Sequence, residues 1–378
     1  MCHKYKTSRY SPVTYILLIV FTSFCGGCNS GSSTVPGGNV DIVDLGRKIF
    51  FDENLSSNSN QSCASCHDPL AGFADPNTSQ TAPVSEGSVI TRFGNRNTPT
   101  SAYASFSPSF RLTTTAQTSE DASKYEGGQF LDGRSESLID QAKAPFLNPV
   151  EMNNANEAEV VNKVSNSTYA NDFINVFGAT AFDNISVAYN NIATAIVAFE
   201  SSPQMNPFTS KFDAFTNDPV NNPLNPSELR GFNIFKDSNG AKCANCHVVA
   251  NPTGGPALFT NFKYFNVGTP VNPSNPSTTQ DLGLGAAVLE TTENGKFKVP
   301  TLRNIELTSP YMHNGVYSTL EQVVTHYDIQ VANEFITPEV NSNIASELNA
   351  GTFVGLGLSA QDSADLVAFM KTLTDGYF

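Results

Sequence analysis

The 378-residue chain has no tryptophan, only five histidines and five methionines, and seven cysteines. Seven cysteines in a chain of this length are too few for a disulfide-stapled scaffold. Cations are also scarce. Lys and Arg total 21 against 35 Asp and Glu, a net charge of -14, which argues against nucleic acid as a partner because nucleic acid selects basic surfaces. Acidity of this kind serves solubility and permits a basic protein partner. Long apolar runs are missing after Tyr15–Phe24 (YILLIVFTSF), so nothing later reads as a membrane span. The whole chain is 39 % hydrophobic and 15 % charged, enough to bury a proper core. The length suits two domains of ordinary size.

The first residues read as an export signal. Lys4, Lys6 and Arg9 form a basic region ahead of the short apolar run, a pattern removed from the mature fold. CGGCNSGSST follows. Cys28, preceded by Gly26 and Gly27, is the better acceptor for a lipid, although Cys25 stands where such signals normally carry Leu. The expectation is a signal over residues 1–28, a flexible tether over 29–40, and a periplasmic or cell-envelope protein anchored by lipid at Cys28. Plain signal cleavage is the alternative.

Cys2, Cys25 and Cys28 belong to that segment. The other four cysteines form two pairs, each closed by a histidine: CASCH from Cys63 and Cys66 to His67, and CANCH from Cys243 and Cys246 to His247. Thiols at i and i+3 reach both vinyl groups of one heme, and the next histidine falls under the iron. This is the c-type attachment signal. A disulfide, a redox CxxC or half a zinc site would explain one such motif, but two copies with no spare cysteine point to two hemes c. His3 lies in the export segment, so only His313 and His326 are left for other work.

An internal repeat surrounds the motifs. LGRKIFFD (Leu45 to Asp52) precedes the first and LRGFNIFKD (Leu229 to Asp237) the second, each reading as an amphipathic helix ending in an aromatic-rich turn. NISVAYNNIATAIVAFE (Asn184 to Glu200) reads as a helix with one apolar side. LSAQDSADLVAFMKTL (Leu358 to Leu373) reads as a closing helix capped by Ser359. The Pro/Asn-rich stretch 206–228 reads as an interdomain connection, and 266–280 has too many breakers for regular structure. The predicted fold is all-α: two cytochrome c-like heme domains with long irregular loops, the first over 41–205 and the second over 206–378.

With CASCHDPLAGFAD, RNTPT, GGQFLDGRSESLIDQAKAPFLNPVEM, CANCH and FKVPTLRNIELTSPYMHNGVYSTLEQVVTHY in this order, the chain resembles the bacterial diheme cytochrome c peroxidase and MauG family. The resemblance implies two helical heme domains facing each other with a calcium ion between them. It implies peroxide chemistry at the N-terminal heme and electron entry through the C-terminal one. Glu151, in PVEM, matches the family's proton-shuttling glutamate, and Gln141 and Pro145 match two residues lining the distal pocket. A carboxylate among apolar neighbours keeps a raised pKa and can carry a proton between the two peroxide oxygens. Asn97, Thr308 and Pro310 match the family's calcium ligands, and such oxygen donors suit a hard cation. His313 is expected in the heme-propionate and interface region.

The sequence departs from the family at three places. No histidine, methionine or cysteine occurs from Asp68 to Phe110, where many members carry a histidine that blocks the first heme, so the iron at His67 is expected to be five-coordinate or to hold only water. Fourteen positions after His313, where the peroxidases have methionine, stands Tyr327. MauG uses tyrosine there, and a hard anionic phenolate stabilises Fe(III) and lowers the potential. His326 is the runner-up sixth ligand, with Met312 and Met370 behind it. Leu131 replaces the tryptophan that precedes Asp in the family's WDGR segment. An aliphatic side chain cannot carry a hole between hemes, and the ring of Phe130 is hard to oxidise.

The expected enzyme is a cytochrome-c peroxidase type oxidoreductase that takes electrons from a small cytochrome c or cupredoxin and reduces hydrogen peroxide. MauG-like oxidation of a protein partner is the second enzymatic reading, and a non-enzymatic diheme electron carrier the third. A homodimer is left open as the assembly.

Overall fold

The computed structural model describes residues 41–113, 123–238, 240–251, 254–277, 279–329, 338–341 and 356–377. The signal over 1–28, the tether over 29–40, and Cys28 as lipid acceptor lie outside them.

Helices dominate. In chain order they are α1 (Ile42–Phe50), α2 (Cys63–Cys66), α3 (Leu138–Leu147), α4 (Glu157–Ser165), α5 (Ala170–Phe177), α6 (Ile185–Glu200), α7 (Lys211–Asn217), α8 (Pro226–Lys236), α9 (Leu284–Val288), α10 (Leu320–Ile329) and α11 (Ala360–Lys371). Strands are two-residue pairs: Arg111–Leu112 with Tyr125–Glu126, and Tyr264–Phe265 with Phe297–Lys298, both antiparallel. No helix of the described residues is long and apolar enough to cross a membrane.

The ends of the main helices are written locally. Asp41 and Asn184 accept from backbone N–H groups of the first turns of α1 and α6, meeting donors that a helix start leaves unpaired. Asn225 with Glu228, and Ser359 with Asp362, form capping boxes on α8 and α11. In α8 Pro226 also occupies the first turn, where its missing N–H costs nothing. The stretch 206–228 is more ordered than its Pro/Asn content suggests. It contains α7, started by a capping box of Ser210 and Asp213. Asp213 also receives both guanidinium ends of fully buried Arg303 at 2.7 Å. That tertiary pair holds a helix which local propensity alone would not form. The described residues of 266–280 form no helix or strand.

Two helix crossings organise the core, and both depend on a glycine. A Cβ on Gly46 of α1 would lie 1.8 Å from the Ala195 carbonyl oxygen of α6 and 3.0 Å from the Phe199 Cβ. A Cβ on Gly231 of α8 would lie 1.9 Å from the Asp365 carbonyl oxygen of α11 and 2.9 Å from the Phe369 Cβ. The repeat visible in sequence as Gly-containing helices therefore extends to their partners: α1 crosses α6 as α8 crosses α11, and AIVAFE (Ala195–Glu200) lies in register with DLVAFM (Asp365–Met370). Around the first crossing Leu45, Ile49, Phe50, Phe146, Phe173 and Ile196 are buried in one cluster. Around the second Phe212, Phe235, Phe259, Leu302, Leu366 and Phe369 form another. Gly231→Ala should therefore force α8 and α11 apart. Overpacking of a tight core typically costs roughly 1–3 kcal/mol. Thermal unfolding should show a lower midpoint, whereas substitution of exposed Gly254, whose Cβ meets nothing within 4 Å, should lower it less.

Candidate heme sites

At the first CxxCH, the one-turn helix α2 places Cys63 and Cys66 on one side. The backbone N–H of His67 donates to the Cys63 carbonyl (2.9 Å). The His67 ring then turns so that Nδ1 lies 2.9 Å from the Phe73 carbonyl. A carbonyl only accepts, so Nδ1 carries the proton and Nε2 keeps a free lone pair. At the second site the geometry recurs. The His247 N–H donates to the Cys243 carbonyl (2.9 Å), and its Nδ1 donates to the Phe259 carbonyl (2.9 Å). Burial pushes both imidazoles down from their usual pKa, so each is neutral, as a metal ligand must be.

The carbonyls that orient the two rings are themselves held alike. Phe73 and Phe259 both adopt positive φ (61° and 55°). Thr100 Oγ1 donates to the Gly72 carbonyl (2.6 Å) and Thr301 Oγ1 to the Leu258 carbonyl (2.7 Å). The backbones of Pro99 and Pro300 lie close to His67 and His247 respectively. This layer of the repeat was not drawn from the sequence. Its only trace there is the dipeptide Pro-Thr in RNTPT and in FKVPT.

Cys63, Cys66, Cys243 and Cys246 form no disulfide in this structure. Burial pushes Cys66 up to about 12 and Cys243 up to about 11, which excludes reactive surface thiolates. These sulfur atoms stand in for the thioether sulfurs of a heme-bound chain. Beside the second pair opens a cavity of about 400 Å³ whose lining includes Cys243, Cys246, His247, Leu366, Tyr327 and Met370. A neutral, oriented imidazole, two thiols outside any disulfide and an apolar cavity together fit a covalently held porphyrin.

Tyr327, on α10, faces that cavity with His247. Burial pushes its phenol up, and the sulfurs of Cys246 and Cys243 act in the same direction from nearby. The adjacent His326 is 1 % exposed and both its nitrogens are taken. Nε2 donates to the Val267 carbonyl (2.9 Å), which leaves Nδ1 to accept from the Tyr317 hydroxyl (2.9 Å). Burial brings its pKa down to about 4. Met312 and Met370 also line the cavity.

The segment from Gln141 to Asn153 is fixed by its backbone. Gln141 and Pro145 lie four residues apart on α3, hence on one face. The chain then doubles back: Met152 N–H donates to the Pro145 carbonyl (3.1 Å), Glu151 N–H to the Asn148 carbonyl (3.0 Å), and Ser88 N–H to the Glu151 carbonyl (2.7 Å). Glu151 is thereby pinned from both sides. Its Oε2 is buried with no hydrogen-bond partner. Burial raises its pKa, opposed by the Arg134 charge and by Asn148. Its charge acts on both Cys63 and Cys66, which places the carboxyl beside the first attachment site.

Phe130 and Leu131 line the cavity of the second site. Phe130 has φ 62° and lies under the Arg134 guanidinium at 3.6 Å. The Leu131 carbonyl accepts from the Lys298 N–H (2.8 Å). Arg96 ties this region together, bridging Asp132 (2.7 Å) and Asp281 (2.6 Å). His313 stacks on Phe297 at 3.8 Å and pairs with Glu339 at 3.0 Å. The Asn97 side-chain NH₂ donates to the Pro310 carbonyl (2.5 Å), and Thr308 lines the same cavity. In this orientation the amide presents its nitrogen to Pro310, so a cation there would require the amide to turn and offer Oδ1.

Residues 41–221 match the family model described as di-haem cytochrome c peroxidase. The chain is 35 % identical over 362 residues to the methylamine utilization protein MauG of Paracoccus denitrificans, covering 88 % of each chain. It is 34 % identical over 313 residues to the cytochrome c551 peroxidase of Nitrosomonas europaea, covering 81 % of this chain and 79 % of that one. The chain belongs to the diheme cytochrome c peroxidase family. Among solved structures, the diheme peroxidase BthA from Burkholderia thailandensis superposes with a TM-score of 0.78 at 29 % identity, covering 88 % of this chain and 86 % of that one. A MauG-like protein associated with microbial copper homeostasis gives 0.66 at 28 %, covering 92 % and 96 %.

As a member of this family the protein is a diheme c-type cytochrome and a peroxidase-type oxidoreductase. Two buried ionisable groups near its heme sites were missed in the sequence. Lys298 lines the cavity of the second site, donates to the Gly128 carbonyl, and is pushed down to about 7 by burial against the opposing pull of Asp132. Glu200, at the end of α6, is 5 % exposed. Neither position carries a composition signal, because burial of a lone charge is a tertiary property.

Proposed function

We propose that the protein reduces hydrogen peroxide at the first heme, in a domain spanning 41–205, with electrons arriving through the second heme, in a domain spanning 206–378. The balance is one peroxide, two electrons and two protons giving two waters. The observation that carries this reading is Glu151: a carboxyl beside Cys63 and Cys66, one oxygen buried and unpaired. The heme supplies an iron that can take the peroxide and pass electrons to it. Glu151 does the proton work. In its ionised form Oε2 accepts the proton of the peroxide oxygen nearer the iron. It then returns that proton to the outer oxygen, which leaves as water. Because burial raises its pKa, the group holds the proton well enough to deliver it, as general acid–base catalysis requires. Gln141 and Pro145 shape the space in which the peroxide sits.

His67 and His247 would ligate the two irons through Nε2, and Cys63, Cys66, Cys243 and Cys246 would hold the porphyrins. Tyr327 would be the sixth ligand of the second iron. It faces the cavity, whereas His326 has both nitrogens engaged elsewhere. Asp68–Phe110 offers no histidine that would close the first iron. A calcium ion held by Asn97, Thr308 and Pro310 bridges the two halves. The protein works in the periplasm or cell envelope, lipid-anchored at Cys28 or freed by plain cleavage, and a small cytochrome c or cupredoxin is its donor.

Oxidation of a protein partner is the second reading. Tyr327 favours it and Leu131, in place of an indole, opposes it. The open first iron and Glu151 speak against a plain electron carrier. A steady-state assay with peroxide and a reduced small cytochrome or cupredoxin tests the reading: turnover with peroxide-dependent donor oxidation is expected, and electron exchange with the donor but no peroxide consumption would leave only the carrier.

A further inference from the structure

The helix crossings set Glu200 in a position whose counterpart is already known from the second site. Gly46 meets the Ala195 carbonyl and Phe199 as Gly231 meets the Asp365 carbonyl and Phe369. Glu200 therefore corresponds to Met370, the next residue along, and Met370 lines the cavity beside His247 and Tyr327. By this register the Glu200 side chain points at the porphyrin position of the first site.

Three further observations agree. Glu200 is 5 % exposed, and its Oε2 is shielded from solvent without a hydrogen-bond partner. The Cys63 thiol is pushed up by burial first and by the Glu200 carboxylate next, ahead of Cys66 and Glu151. In the heme-bound chain that sulfur is a thioether and does not titrate, but the nearness of the carboxyl carries over. Finally, Glu200 ends α6, and the negative end of a helix disfavours an ionised carboxylate.

We propose that the Glu200 carboxyl is a second proton-holding group of the first heme site, distinct from Glu151, which binds a proton when that heme is reduced and releases it when the heme is oxidised. On reduction, one electron from the donor enters the heme and one proton from water joins the carboxylate, so the buried charge is unchanged. On oxidation both leave. Burial alone, before any heme charge acts on it, pushes the group up to about 8, so it ionises within a measurable range. The neighbouring helices carry Asp44, Arg47 and Lys48 (α1), Asp140 and Lys143 (α3), and Glu157, Glu159 and Lys163 (α4), and none of these contributes to that shift. Glu151 shares with Glu200 its effect on Cys63. Glu200 is a positioning residue for charge and does not touch peroxide.

The inference rests on the first heme being attached at Cys63 and Cys66, so the test begins by counting covalent hemes. A chain with no heme there would overturn both readings. With two hemes present, redox titration of the His67 heme across pH should show a wild-type ferrous fraction that falls by about tenfold per pH unit where Glu200 ionises, the linkage of one proton to one electron. Glu200→Gln should be flat over that window, and Glu151→Gln should keep the slope. Should Glu200→Gln fail to fold, Glu200→Met places the residue of the second site there and should also be flat. Reduced-minus-oxidised infrared spectra should show a carboxylic acid band that is lost with Glu200→Gln and kept with Glu151→Gln. Two attached hemes with equal slopes in wild type and the Glu200 variants would overturn the proposal and leave the peroxidase reading intact.

Discussion

Glu151→Gln should lower peroxide turnover by a factor on the order of 10² to 10⁴, the usual contribution of a positioned general acid–base group, while both hemes remain attached. The amide matches the carboxyl in shape but cannot accept the peroxide proton. The backbone bonds that pin this segment to Asn148, Pro145 and Ser88 do not involve the side chain, so the fold should persist. The pH profile gives a second readout. The carboxylate is the proton acceptor, so wild-type turnover should rise with pH through a pKa above the ordinary carboxylate range, the direction in which burial moves Glu151. That limb should vanish in the variant. Stopped-flow mixing of the oxidised protein with peroxide measures the step directly. An unchanged rate with Glu151→Gln would remove this residue from the mechanism.

Tyr327→Met should raise the potential of the second heme, because a soft neutral thioether replaces a hard anionic phenolate. Axial ligands set heme potentials over roughly 0.8 V, and the exchange should move this heme by a sizeable part of that range and produce a methionine–iron absorption band. Substitution of His326 should instead disturb packing at Tyr317 and Val267 and leave the low-spin heme spectrum in place. Loss of the low-spin heme on replacing His326, with none on replacing Tyr327, would transfer the ligand role to the histidine.

How far the sequence leads depends on how local each determinant is. The two CxxCH motifs are legible because the two thiols and the ligating histidine lie within five consecutive residues. Helix starts at Asn184 and Ser359 are legible for the same reason: a cap acts on its own first turn. Tyr327 is a question of spacing, and spacing alone left His326 in contention. The contacts of His326 with Tyr317 and Val267 reach 9 and 59 positions along the chain and leave no mark in that spacing. α7 was obscured because its stability comes from the Asp213–Arg303 pair, whose members are 90 residues apart. The second layer of the repeat, Phe73 with Thr100 and Phe259 with Thr301, was hidden because side chains that orient a ligand leave little periodic trace. Glu200 reads in sequence like any acidic residue at a helix end. Its burial appears only once Gly46 has drawn α1 onto α6.

The proposed peroxide chemistry needs an open iron at His67 facing Glu151, paired with a saturated iron at His247. Electron paramagnetic resonance of the as-isolated, fully oxidised protein tests that claim most directly. The absence of any histidine, methionine or cysteine from Asp68 to Phe110, with Tyr327 in the second cavity, predicts one high-spin and one low-spin ferric heme in equal amounts, the high-spin signal converting on addition of cyanide without prior reduction. Two low-spin ferric hemes, with cyanide binding only after half-reduction, would contradict it.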